Sequence, residues 1–239
     1  MVSQQEYRVL QNLNLYDSSA CDRLATQAAA ERHVQFLEPE VTASTITQPV
    51  QIQVCEDDYI AWLNPVDTPL LTPAATHYQA PVWSEAAIAA QVEHVIQFAQ
   101  VAMAQPNTYL WGGTVAPHYD CSGLMQTAFQ SVGIWLPRDA YQQEAFTTQL
   151  SITADDYSAL QRGDLVFFGS PTQATHVGLY LGAGRYLHSS GQAIGRNTIG
   201  IDSLAPSDEP TSQRYLQQLR QGGRVVRSLQ RGELATLFP

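Results

Sequence analysis

Residues 68–82, Thr-Pro-Leu-Leu-Thr-Pro-Ala-Ala-Thr-His-Tyr-Gln-Ala-Pro-Val, constrain the fold most, because they hold three prolines and no formally charged side chain. Proline fixes φ and removes a backbone donor, so this stretch suits a stiff, partly extended connection rather than a helix or an inner strand. It divides the chain into two parts of different character. Ahead of it, short β-like runs follow one another at 7–10, 13–16, 33–37, 50–54 and 59–63, which predicts a small barrel. Residues 20–32 have helical composition, and propensity alone leaves their state open. Behind the stretch, Ser84 is placed to cap a helix whose Ile88, Val92, Val95, Ile96, Ala99 and Met103 form an apolar stripe ending near Pro106. The expected division is a barrel over 1–75, a linker over 76–83 and a second domain over 84–239. A chain of 239 residues, 44% hydrophobic, can bury one large or two small cores.

The second part carries the chemistry. Tyr109-Leu-Trp-Gly-Gly113 and Pro117 read as turn and loop, and after them Leu124, Met125, Ala128, Phe129 and Val132 recur at the spacing of a buried helical face. Asp120 therefore stands where an N-cap belongs, and Cys121 falls in the first turn. The unpaired N–H groups and positive dipole end there favour a thiolate and can hold a developing oxyanion. A lone cysteine is more simply a buried structural thiol. The surroundings of Cys121 favour the nucleophile instead.

The histidine that a thiol nucleophile needs lies 55 residues on, in His176-Val-Gly-Leu-Tyr-Leu181, and a second ends Arg185-Tyr-Leu-His188. Both runs are rich in β-formers and are joined by Gly182-Ala-Gly184, so they read as a hairpin. A three-residue loop without a register shift sets position 178 opposite 188 and puts His176 and His188 on one face. A two-residue loop puts them on opposite faces. In the first case His176 can serve Cys121 as base while His188 accepts from its other ring nitrogen and fixes the tautomer. Two structural histidines are the plainer alternative.

Together with Leu136-Pro-Arg-Asp139, Gln142 and Gly163-Asp-Leu-Val-Phe-Phe168, these fragments resemble, in order and over about residues 85 to 230, the NlpC-type cysteine peptidases of bacterial cell walls. The resemblance implies an α+β, papain-like fold in which the cysteine helix packs on an antiparallel sheet bearing the histidines. It implies Cys121 as nucleophile, His176 as general base then acid, and His188 as the orienting member. Tyr109 matches a tyrosine whose hydroxyl lies near the oxyanion, with a core aromatic as the alternative. Arg138 matches a position near the substrate groove, where a guanidinium could pair with a peptide carboxylate or simply be solvated.

Leu13-Asn-Leu-Tyr16 and Asp57-Asp58-Tyr59-Ile-Ala-Trp-Leu63 resemble bacterial SH3-like domains, although the middle of the first part fits no pattern. An SH3-like barrel before such a peptidase resembles the γ-D-glutamyl-diamino-acid endopeptidases. That implies hydrolysis of the bond between D-Glu and diaminopimelate in murein peptides such as L-Ala-γ-D-Glu-diaminopimelate, with the barrel closing the groove so that a free N-terminal L-Ala fits. Asp58 and Tyr59, with Asp120 and Ser122, are the expected contacts to that alanine, and a polar turn at 56–58 is the alternative reading.

Net charge of −10 argues against nucleic acid or an anionic membrane as partner. Cys21, Cys55 and Cys121 are odd in number and include no Cys-x-x-Cys, so no metal, cofactor or disulfide framework is expected. The first residues lack a basic region followed by an apolar core, from which a cytosolic location is expected, or a periplasmic one if a leader has been removed. Oligomeric state has no signature in the chain.

Overall fold

The computed structural model describes residues 5–38 and 41–238. Its first domain is one sheet of seven antiparallel strands: β1 (Glu6–Val9), β2 (Leu13–Tyr16), β3 (Leu24–Ala28), β4 (His33–Phe36), β5 (Val50–Val54), β6 (Ile60–Leu63) and β7 (Leu71–Pro73), in the order β3-β2-β6-β5-β4-β1-β7. Alternate residues point inward, so Val9, Leu13, Leu15, Val34, Phe36, Ile52, Val54 and Leu63 gather in its core. Residues 20–32, whose state propensity left open, supply β3 rather than a helix. Pairing with β2 and burial of Thr26 override the local preference. The start of the proline-rich stretch is also part of the sheet, since β7 runs along β1 at the edge, where Pro73 has no ladder bond to give.

The second domain opens with α1 (Glu85–Ala89), capped by Ser84 Oγ accepting from the Ala87 amide, and α2 (Val92–Ala104). A short hairpin, β8 (Thr114–Val115) and β9 (His118–Tyr119), leads into α3 (Cys121–Gln130), followed by α4 (Ala140–Phe146). Next come β10 (Thr148–Leu150), β11 (Leu165–Gly169), β12 (Ala174–Gly182), β13 (Arg185–Ser190), β14 (Thr198–Ser203), α5 (Pro210–Leu216), β15 (Leu219–Arg224) and α6 (Leu234–Leu237). The sheet order is β10-β15-β11-β12-β13-β14. One face packs Phe167, Val177, Leu179 and Leu187 against Leu124, Met125 and Phe129 of α3. The other buries Val166, Phe168, Tyr180 and Tyr186 with Tyr215 of α5.

A buried ion-pair cluster of the first domain meets the second, and polar contacts fasten the two together. Arg32 pairs with Asp57 at 2.8 Å and Glu56 at 3.3 Å, with its guanidinium 4.7 Å over the Trp135 ring. Gln126 of α3 donates to Asp57 at 3.0 Å, and Thr114 Oγ1 to the Gln27 carbonyl at 2.8 Å. The C-terminal segment returns across the first domain, where Arg231 bonds Glu6 and Gln35 and the Leu234 amide donates to Asp58.

Candidate active site

The site is built on the first turn of α3. Asp120 is its N-cap, with Oδ1 accepting from the Gly123 amide at 2.7 Å and Oδ2 from the Gly112 amide at 2.9 Å. Gly123 has no alternative: a Cβ there would stand 2.0 Å from the Gly113 carbonyl oxygen. Arg138, 1% exposed, forks onto both Asp120 oxygens at 3.1 and 2.6 Å and donates to Ser122 Oγ at 3.0 Å and Thr26 Oγ1 at 2.9 Å. A planar guanidinium suits this four-bond seat, and it locks the cysteine turn to β3 of the first domain.

The histidines come from the hairpin. Its loop is two residues, Ala183 and Gly184, both at positive φ. A bulge between Tyr180 and Gly182 absorbs one residue, restoring the register in which Leu179 faces Leu187. His176 and His188 therefore share a face despite the two-residue loop. His176 Nε2 lies 2.6 Å from His188 Nδ1, and His188 Nε2 lies 2.7 Å from Asp202 Oδ2 on β14. Arg196 and Ser212 both donate to Asp202 Oδ1 at 2.8 Å.

This chain fixes the protons. Burial alone would raise the Asp202 carboxyl, but the bonds from His188, Arg196 and Ser212 hold it well below the usual carboxylate range. An ionised Asp202 accepts a hydrogen bond from His188 Nε2–H, so His188 Nδ1 must accept from His176 Nε2–H. The lone pair of His176 is left on Nδ1. Burial and the neighbouring His188 lower the imidazolium of His176, so the ring is neutral at pH 7.

Cys121 is buried, and the amides of Val177 and Ser122 donate to its sulfur, which places the sulfur beside the residue that follows His176. Burial, then the charge of Asp120, pushes the thiol up to about 12, outweighing those amides. Burial thus opposes the thiolate that the helix start favours. Burial also raises the Tyr109 phenol, followed by the charge at Cys121, so its hydroxyl lies in the field of the sulfur.

The sulfur opens into a groove of about 400 Å³ whose walls come from both domains: Arg23, Ala25 and Tyr59 from the first, Tyr109, Cys121 and Asp139 from the second. Of the expected site residues, Cys121, Tyr109, Tyr59, Asp120 and Ser122 meet in this groove. Asp58 turns away, its carboxylate taken by the amides of Gly232 and Leu234. Arg138 lies beneath the groove, committed to Asp120. The reading from sequence missed Asp202, Tyr215 and Asp139. Asp202 and Tyr215 carried no local signal, since their positions depend on β14 and α5 folding over the hairpin. Asp139 closes the Leu136-Pro-Arg-Asp139 run, where no role was assigned to it. Burial pushes its carboxyl up to about 6 although Arg138 pulls the other way.

A cysteine helix on an antiparallel sheet that bears a histidine relay is the papain-like α+β arrangement. Residues 106–221 match the NlpC/P60 family, and residues 15–67 match the bacterial dipeptidyl-peptidase Sh3 domain. The chain thus carries an NlpC/P60 family domain behind a bacterial SH3 domain. It is 41% identical over 90 residues to the bifunctional muramidase/DL-endopeptidase CwlT of Bacillus subtilis (strain 168), a match covering 36% of this chain and 26% of that protein. It is 39% identical over 112 residues to dipeptidyl-peptidase 6 of Lysinibacillus sphaericus, covering 47% of this chain and 36% of that one. The chain therefore spans about a third or less of the length of these relatives. The solved peptidoglycan hydrolase RipB of Mycobacterium tuberculosis is similar at 28% identity and TM-score 0.45, covering 59% of this chain and 67% of that one.

Proposed function

We propose that the protein is a cysteine endopeptidase that hydrolyses the amide between D-Glu and diaminopimelate in murein peptides with a free N-terminal L-Ala. His176 Nδ1 takes the thiol proton as Cys121 Sγ attacks the γ-carbonyl carbon, and the oxyanion forms beside the helix-start amides and the Tyr109 hydroxyl. The protonated His176 gives that proton to the leaving amine as the C–N bond breaks, leaving a thioester on Cys121. Water, deprotonated by the same nitrogen, then frees L-Ala-D-Glu and regenerates the thiol. Burial of the thiol favours proton transfer to His176 in concert with the attack.

The observation that carries the substrate reading is Asp139. It is a half-buried carboxyl at the N-cap of α4 whose proton burial holds on to despite Arg138, and it lines a groove that Tyr59 of the SH3 domain helps to wall. A substrate ammonium would offset its burial, and a blocked terminus would not. Arg23, in an exposed 3.5 Å pair with Asp17 of the same lining, is placed to exchange that partner for the α-carboxylate that a γ-linked D-Glu leaves free. Asp139 with Tyr59 replaces Asp58 as the acidic partner in this reading. The test is hydrolysis of L-Ala-γ-D-Glu-diaminopimelate by Cys121→Ala and His176→Ala. Each should lose at least about 10³-fold in kcat/KM, and native turnover by either would refute the mechanism.

A further inference from the structure

Helix α5 delivers an aromatic ring onto the imidazole relay. Tyr215 lies stacked on His176 with ring centroids 4.2 Å apart and planes 23° from parallel, and it meets His188 edge-on at 5.0 Å. It is 3% exposed. Burial raises its phenol first, then the charges at Cys121 and Asp202, so its hydroxyl end lies in the field of both ends of the site. Ser212, one turn earlier on α5, donates to Asp202. The same carboxylate that ends the relay therefore fastens the helix that covers it.

We propose that Tyr215 is a positioning residue whose ring face holds the plane of His176 with Nδ1 toward Cys121 and keeps water off the imidazole. This rests on Cys121 and His176 being the reacting pair. An imidazole bonded at Nε2 alone can still rock about that bond, and a flat ring at stacking distance removes that freedom. Excluding water from one face also disfavours the imidazolium, which keeps the base unprotonated at lower pH. The groups facing His176 are His188 from β13, Asp202 from β14 through His188, Phe168 from β11 and Tyr215 from α5, while the Val177 amide, next along β12, donates to the Cys121 sulfur. Tyr109 lies on the sulfur side, and Arg196 lies beyond Asp202.

The experiment is the rate of iodoacetamide alkylation of Cys121 against pH, read by peptide mass spectrometry because Cys21 and Cys55 are also free. It compares the full chain with its Tyr215→Ala, Tyr215→Phe and His176→Ala variants, each checked by thermal unfolding. The acid inflection belongs to the coupled Cys121–His176 pair. Tyr215→Ala should move it upward by about half a unit or more as water reaches the ring, while Tyr215→Phe, which keeps the ring face, leaves it in place. An unmoved inflection in Tyr215→Ala, with the inflection abolished in His176→Ala, overturns the proposal and leaves the reacting pair intact. A shift as large in Tyr215→Phe as in Tyr215→Ala also overturns it. An unchanged profile in His176→Ala sinks the pair itself. Should Tyr215→Ala fail to fold, Tyr215→Gln, of similar reach but polar, decides by the same upward shift.

Discussion

Arg138 and Asp139 are neighbours with opposite electrostatic fates. Arg138 is fully paired, so Arg138→Ala strands the buried carboxylate of Asp120 and is expected to cost about 3–5 kcal/mol, read as a fall in the denaturation midpoint. Asp139 binds its proton more tightly folded than unfolded, so its ionisation opposes folding progressively as pH rises from about 4 to about 6. Asp139→Asn should therefore be more stable than wild type at pH 7, by on the order of 2 kcal/mol, and no more stable at pH 4. The same variant should raise KM for a substrate with a free amine. Equal stability differences at both pH values would contradict the burial argument. At this scale the sequence was readable where one residue's chemistry is local. Asp120 as cap follows from the Asp-Cys-Ser-Gly run, whereas the carbonyl over Gly123 comes from the Gly113 turn and is visible only in the fold. Asp58 misled because an acidic residue before a groove tyrosine does not reveal which way it points, and the partner that turned it is the C-terminal segment.

The hairpin of β12 and β13 depends on one residue of register. Counting loop residues left two outcomes open, and the bulge near Leu181 decided between them in a way that loop length does not encode. Asp202 belongs to this scale too, because alternation along β14 brings it to the face of His188. Asp202→Asn lets His188 present a proton at Nδ1, breaking the tautomer chain, and should lower kcat/KM by roughly 10- to 100-fold. The fold should stay intact, as judged by circular dichroism. Activity within twofold of wild type would show that His188 alone orients the base. The two imidazoles give a further check. Both are held neutral by burial, so the folded state resists protons that the unfolded chain takes up near pH 6.5. Their contribution to stability is complete above that pH and is lost as pH falls toward their folded values. His176→Gln should flatten the decline in Tm on that side.

For the molecule as a whole, the two-part organisation was legible from the proline-rich stretch and the change in periodicity. How closely the parts join was not, because Arg32, Gln27, Thr26 and Arg231 read as ordinary polar residues until their partners are in place. The interface they form includes buried hydrogen bonds from Gln126 to Asp57 and from Arg138 to Thr26, the stacking of Arg32 on Trp135 and the Arg231–Glu6 pair. Calorimetry should therefore give a single cooperative transition, and two well-separated transitions would show that the barrel folds and melts independently. The groove exists only in the joined molecule, since Tyr59 and Asp139 come from different domains. We propose that this groove presents the γ-D-glutamyl carbonyl to Cys121 with a free amine held near Asp139. Mass analysis of the products from L-Ala-γ-D-Glu-diaminopimelate, alongside its N-acetylated form, tests it most directly. The expected products are L-Ala-D-Glu and free diaminopimelate from the first peptide and little from the second. Cleavage between L-Ala and D-Glu, or equal turnover of both peptides, would contradict it.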